Sequence, residues 1–250
     1  MTKRAWFRFY EELNDFLPSS RRKVAFPLTI KGTQTVKDAI EGCGVPHVEV
    51  DLILVNGKSV DFSYRLKNSD QVSVYPAFET LDIKDVTHLR EKPLREPAFI
   101  LDVHLGKLAR YLRLCGFDSL YRTDYEDIEI INIAAQERRI ILTRDKKLLA
   151  NKKVTHGVWI RSQKPAEQFR EVFDRLDLGS RVNPFTRCMG CNSLLAEVNK
   201  EEISDRLHPG TRKYYNAFSI CTGCGKIYWE GSHYEKMKQV VKNFTGHSIP

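Results

Sequence analysis

Three aspartates stand at or just past the ends of short apolar segments that read as β-strands. Phe99-Ile100-Leu101 runs into Asp102, Ser119-Leu120-Tyr121-Arg122-Thr123 into Asp124, and Ile140-Ile141-Leu142-Thr143-Arg144 into Asp145. In a parallel sheet the strand ends share one edge, and open α/β sheets place their sites at that edge. Three carboxylates gathered there repel one another unless a cation lies between them. The pattern therefore points to Mg²⁺ or Mn²⁺ and to a metal-assisted reaction on phosphate, with Asp102, Asp124 and Asp145 as catalytic ligands. The competing interpretation is ordinary: aspartate favours turns and helix N-caps. Asp145, in Thr143-Arg144-Asp145, fits a cap least well. Glu126 and Asp127 follow Asp124 closely, and Asp127 suits the first turn of a helix.

Four of the six cysteines form two Cys-x-x-Cys pairs, Cys188/Cys191 and Cys221/Cys224. Four thiolates complete a tetrahedral zinc shell and leave no open position, so the expected Zn²⁺ is structural. A redox dithiol is the alternative. Cys43 and Cys115 read as core residues.

Cations and aromatics supply a binding surface. Lys107, Arg110 and Arg113 recur every third residue behind Asp102, on a helical stripe away from the leucines, and Arg144 precedes Asp145. These are candidates to hold phosphate, against the plainer reading of a solvated helix face. Around the second cysteine pair, Arg212, Lys213, Tyr214, Tyr215, Lys226, Tyr228, Trp229, His233 and Tyr234 interleave charge with rings. That mixture suits single-stranded RNA, whose bases stack on aromatics, with Trp229 and His233 among the candidate contacts; His233 is also a fifth zinc candidate, and a surface hydrogen bond is its plainer reading. The alternative is that these rings form the small core of the lobe.

The elements that must position these residues follow from patterning. The chain has 250 residues, 42% hydrophobic and 29% charged, with a net charge of +8. The basic excess fits a nucleic-acid partner or simple solubility. No apolar run reaches membrane-spanning length, and the N-terminus lacks a signal-peptide core, so no membrane partner is expected and a cytoplasmic setting is. Residues 1–80 read as ββαββ, with strands at Trp6–Tyr10, Lys23–Ile30, Asp51–Val55 and Gln71–Tyr75. A helix opens at Thr35, and Asn56-Gly57 makes a hairpin turn. This order resembles a ubiquitin-like β-grasp domain of the sulfur-carrier type. Its last strand runs into Pro76-Ala77-Phe78 rather than a free Gly-Gly, which favours a role in protein interaction or substrate positioning. Residues 81–98, charged and containing Pro93 and Pro97, read as a linker. Residues 99–180 alternate strand and helix, which implies an α/β parallel sheet. Its helices are expected at His104–Cys115, closed by Gly116, at Asp127–Arg138, and at Pro165–Leu176. Residues 181–250 form a separate cysteine lobe.

Residues 99–237 resemble the Mut-seven C-terminal RNase domain, a PIN-like nuclease fold followed by a zinc ribbon. The matching stretches are Asp102 with Leu105-Gly106-Lys107-Leu108-Ala109-Arg110-Tyr111-Leu112-Arg113, Cys115-Gly116-Phe117-Asp118, and Leu142-Thr143-Arg144-Asp145. The two cysteine pairs and Tyr228-Trp229-Glu230-Gly231-Ser232-His233 complete the match. Members of the family often carry an N-terminal ubiquitin-like domain, here residues 1–80. The resemblance implies a metal-dependent ribonuclease with Asp102, Asp124 and Asp145 as metal ligands. The alternatives are a non-catalytic RNA-binding module and a protein-interaction adaptor built on the β-grasp domain.

Overall fold

The computed structural model describes residues 2–76 and 97–246. Residues 81–96 of the expected linker lie outside them. The chain divides into two compact units, residues 1–96 with 145–159, and residues 97–144 with 160–250.

In the first unit, alternation drives the sheet. Strand β1 (Arg4–Phe9) buries every second residue, Ala5, Phe7 and Phe9. It pairs antiparallel with β2 (Phe26–Thr29). Helix α1 (Val36–Gly42) starts in a capping box: Thr35 accepts from the Asp38 amide, and the Asp38 carboxylate accepts in return from the Thr35 amide. That arrangement satisfies two helix-end donors at once. Strand β3 (Val50–Val55) turns through Asn56-Gly57, both at positive φ, into β4 (Lys58–Ser59). Strand β5 (Gln71–Pro76) then lies parallel to β1, giving the order β2-β1-β5-β3-β4. This is the β-grasp arrangement that the sequence pattern predicts. Strand β2 is shorter than expected because Lys23 adopts φ 59°, where its amide donates to the Asn14 carboxamide.

The second unit begins with β6 (Phe99–Leu101), buried throughout, as expected for a parallel strand covered on both faces. A 3₁₀ turn over Val103–Leu105 then leads into α2 (Gly106–Leu114), so the regular helix opens two residues later than expected. Gly116 closes it at φ +92°, and a Cβ there would run into the Asn183 carbonyl. Strand β7 (Ser119–Leu120) pairs parallel with β6 on one side. After α3 (Asp127–Glu137), β8 (Ile140–Thr143) pairs parallel with β6 on the other.

The chain next contributes α4 (Lys146–Leu149) and β9 (Gly157–Trp159) to the first unit. It returns at Ile160, whose amide donates to the Thr143 carbonyl. Helix α5 (Pro165–Arg175) carries proline at its first position, where no amide is needed.

The cysteine lobe follows in the same compact unit as residues 97–144, not as a separate body. It contains β10 (Leu195–Val198), α6 (Lys200–Ile203), α7 (Pro209–Tyr214), β11 (Phe218–Cys221), β12 (Ile227–Trp229) and α8 (Ser232–Thr245). The three strands form an antiparallel sheet, β10-β11-β12. Phe244 of α8 stacks on Phe169 of α5 at 4.6 Å and meets Tyr111 of α2 edge-on, tying the C-terminal helix to α2 and α5.

Candidate metal centres and anion cavity

Asp102 is 8% exposed and follows the last residue of β6. Its amide donates to the Leu142 carbonyl, which extends the ladder with β8 by one step. The Thr143 hydroxyl, fully buried at the end of β8, donates to Asp102 Oδ2 at 2.7 Å. Oδ1 has no hydrogen-bond partner among the described residues. A buried carboxylate half-satisfied in this way is a fit partner for a cation, because isolated charge is costly away from water.

The other two aspartates are held differently. Asp124 is exposed, and Arg122 grips it with two hydrogen bonds, Nε to Oδ1 at 2.9 Å and Nη2 to Oδ2 at 2.6 Å. That grip lowers the Asp124 pKa. Asp145 belongs to the first unit and caps α4, accepting from the Lys147 amide at 2.8 Å. The aspartate whose sequence context suits capping least is thus a well-formed cap. Among the described residues, the four cysteines are the one group of three or more candidate ligands whose donor atoms lie within 4.8 Å of one another. The three aspartates do not form such a group.

The cysteine centre is compact. Cys188 and Cys224 Sγ are 3.7 Å apart, and Cys191 and Cys221 Sγ are 3.2 Å apart. A tetrahedron with Zn–S of about 2.3 Å has edges of about 3.8 Å, so the set can hold zinc. In each pair the second cysteine's amide donates to the first sulfur, Cys191 to Cys188 and Cys224 to Cys221. Packed this closely, the sulfurs cannot all ionise without a cation. Burial pushes Cys191 up, but hydrogen bonds from Ser193 outweigh it and bring the thiol down to about 6. Cys224 is drawn down by the Lys226 amide, yet its sulfur neighbours push it to about 12. A divalent ion removes that conflict. Gly223 is needed because the Ser193 side chain occupies the space of a Cβ, rather than for a special φ.

Two corrections concern the cations and rings. Arg113 is 3% exposed, so it does not stand on the solvent-facing stripe. Its Nε donates to the Ser119 carbonyl, and Nη1 to the Met189 and Gly190 carbonyls. It fastens the first cysteine pair to α2 and β7 instead of binding phosphate. Helical drift explains this: successive steps of three residues turn the stripe toward the leucine side. The aromatic set also divides. Tyr228 bonds the Cys188 sulfur at 3.0 Å, Tyr215 packs on the lobe's core, and Tyr234 packs on Phe185. Trp229 is 40% exposed, and His233 is exposed. Trp229 lines a cavity of about 750 Å³ bordered by Glu197, Glu201, Glu202 and Glu230, with Lys200 the sole cation. Such a wall disfavours phosphate.

A second cavity, of about 510 Å³, lies over α2 and behaves oppositely. His104, Lys107, Arg110 and Arg113 line it, and no carboxylate does. Lys107 and Arg110 are exposed there, as is Arg144 beyond β8. The Tyr121 ring, its hydroxyl donating to the Val103 carbonyl at 2.8 Å, covers Gly106 so closely that a Cβ would overlap it. Gln168, also on the wall, has no counterpart in the sequence expectations. Its spacing from Phe169 and Val172 marks it only as one more inward position of α5.

The model of the Mut7-C RNAse domain matches residues 97–241, and that of the Mut7-C ubiquitin domain matches residues 2–82. The chain belongs to the Mut7-C RNAse domain family. No protein of curated function matches it. Among solved structures, H. volcanii small archaeal modifier protein 1 is 15% identical, matching 30% of this chain and 99% of its own with a TM-score of 0.25. A nuclease-related role follows from membership, and the N-terminal unit is ubiquitin-like. No helix among the described residues is long and apolar enough to cross a membrane.

Proposed function

We propose that this Mut7-C protein hydrolyses RNA phosphodiester bonds with a divalent metal ion, Mg²⁺ or Mn²⁺, held by Asp102 with Asp124. The observation that carries the reading is Asp102 itself. It is a buried carboxylate at the end of the middle strand of β7-β6-β8, oriented by Thr143, at the head of the helix whose Lys107 and Arg110 line a carboxylate-free cavity. The ion, when bound, neutralises charge on the phosphate and acidifies water.

The chain's own residues do the rest. Lys107 and Arg110 hold the RNA backbone, where phosphate contacts fix register rather than sequence. Arg144 and exposed His233 are further contacts for a long strand, whereas the acidic wall around Trp229 turns the strand away from that ring. Asp124 joins the site by exchanging Arg122 for the cation. Zinc on the four cysteines is structural, and through Arg113 it braces the helix that carries the cations. The ubiquitin-like unit recruits a protein partner or orients the RNA. The expected setting is the cytosol, where thiolates stay reduced.

A second reading, a non-catalytic RNA-binding module, is favoured by the absence of a three-carboxylate cluster among the described residues. Labelled single-stranded RNA incubated with wild type or Asp102→Asn, in Mn²⁺, Mg²⁺ or EDTA, separates the two. The nuclease reading expects metal-dependent products, slowed on the order of 10³-fold by the substitution, since a metal supplies several kcal/mol of stabilisation. RNA that is bound but uncut in every condition establishes the binding module instead.

A further inference from the structure

We propose that the 510 Å³ cavity over α2 takes one unstacked nucleotide of single-stranded RNA and selects a base that carries an exocyclic amino group, cytosine over uracil. The proposal deepens the RNA reading above and rests on it for the substrate class. It goes beyond that reading in assigning base recognition to Gln168.

The mouth of the cavity is cationic. Lys107 and Arg110 are exposed on its wall, and no carboxylate opposes them. A phosphate is the anion an RNA strand brings. The volume lies within the roughly 300–1,000 Å³ range of cavities that enclose small ligands. The wall also carries flat or soft apolar surface, from Tyr121, Met189 and Pro165, against which a base can lie.

The deciding group is Gln168. It is 4% exposed and held rigidly by α5. Its Nε2 donates to the Ser162 carbonyl at 3.0 Å. A carbonyl accepts and never donates, so the carboxamide cannot be turned round, and Oε1 is the remaining atom. Oε1 has no partner among the described residues, and it is not a fully enclosed orphan. The small exposure of this residue therefore lies on the cavity it lines. A buried acceptor without a partner favours a ligand that supplies a donor. Cytosine offers its N4 amino group where uracil has a carbonyl, which would set two acceptors against each other. Gln163, exposed on the same wall, adds an adaptable second contact.

The test is equilibrium binding of CMP, UMP and orthophosphate to the full-length zinc-loaded protein, with rCn and rUn oligonucleotides as a second arm. No step requires cleavage, so failure of the nuclease reading leaves the result interpretable. CMP should bind roughly 10- to 100-fold more tightly than UMP, the range expected for loss of one specific base contact. Gln168→Leu should erase that preference while orthophosphate binding is retained. Lys107→Gln should weaken both nucleotides alike and reduce the salt slope of oligonucleotide binding by about 0.7. If Gln168→Leu fails to fold, the wild-type CMP/UMP ratio and its reduction in Gln163→Ala decide. Equal affinity for CMP, UMP and orthophosphate in the wild type overturns the proposal, as does a preference untouched by Gln168→Leu in a folded, zinc-replete protein. Preference for free CMP without preference for the cytidine oligonucleotide overturns the assignment to an RNA strand.

Discussion

At the scale of single residues, the hydrogen bond from Thr143 to Asp102 separates this aspartate from the other two. Oδ2 is fixed by a buried hydroxyl, which leaves the second oxygen to face a ligand. Groups that orient a metal ligand in this way typically contribute 10- to 100-fold to metal affinity or activity. Thr143→Val keeps the β-branched shape and the strand while deleting the hydroxyl. It should raise the Mn²⁺ concentration for half-maximal cleavage by that factor, with melting temperature nearly unchanged; a metal titration of initial rates reads it. An unshifted titration would remove Thr143 from the site. Asp102 is legible in the sequence because a charged residue that ends a wholly apolar run breaks the pattern. Thr143 is not, since threonine is an ordinary strand residue until its neighbour across the sheet is known. Arg122 and Asp124 stand two positions apart, so their spacing alone allows an ion pair. Nothing in that spacing decides whether the carboxylate keeps the arginine or turns to a metal.

At the scale of elements, α2 has two working faces, and the seam behind it is polar. Asp118 Oδ1 accepts from Arg139 at 2.6 Å and from the Asn192 carboxamide at 2.8 Å, while Asn192 in turn accepts from the Ser119 amide at 2.9 Å. Arg187 approaches the other oxygen at 3.5 Å. Burial raises the Asp118 pKa, but these hydrogen bonds and charges outweigh it, and the net shift is downward. A carboxyl whose folded pKa is depressed contributes stability above its unfolded pKa of about 3.9 and loses it as pH falls through the lower folded value. Asp118→Asn should therefore cost about 2 kcal/mol at neutral pH, allowing for the partial exposure of the pair. The cost should stay level down to about pH 5 and vanish progressively below about pH 4. Urea midpoints of both proteins across that range check it, and a constant difference in acid would exclude the ion-pair account. Acid also protonates zinc thiolates, so the difference between the proteins is the quantity to follow. The strands, helices and cysteine pairs behind this seam are readable from periodicity and spacing. The seam itself is not, because Asp118, Arg139 and Asn192 come from three distant segments and none breaks a pattern.

At the scale of the whole molecule, the ubiquitin-like unit carries a piece of the sequence that the nuclease family claims. Residues 145–159 lie inside the matched Mut7-C RNAse domain, yet they pack as part of the first unit. There Lys146 sits over the rings of Phe16 and Trp159, which themselves pack at 4.8 Å. The fully buried Glu49 carboxylate accepts from the Trp159 amide at 2.7 Å. His47 meets Glu41 with Nδ1 at 2.8 Å and the Val154 carbonyl with Nε2 at 2.9 Å. Patterning assigns 1–80 and 99–180 to different domains, because it delimits domains as contiguous stretches and a segment that crosses over leaves no local signature. The consequence is that the β-grasp unit holds Asp145 in its capping position, whatever partner it also recruits. Replacing His47 and Glu49 together by alanine removes two polar anchors of the segment, at Val154 and Trp159, while leaving β1, β3 and β5 paired. Native-state hydrogen exchange should then speed up on the order of 10- to 100-fold across residues 153–159, with the β-grasp strands still protected. Glu49→Gln, which keeps an acceptor for Trp159, should stay close to wild type. Unchanged exchange in the segment would show that apolar packing on Phe16 suffices to hold it.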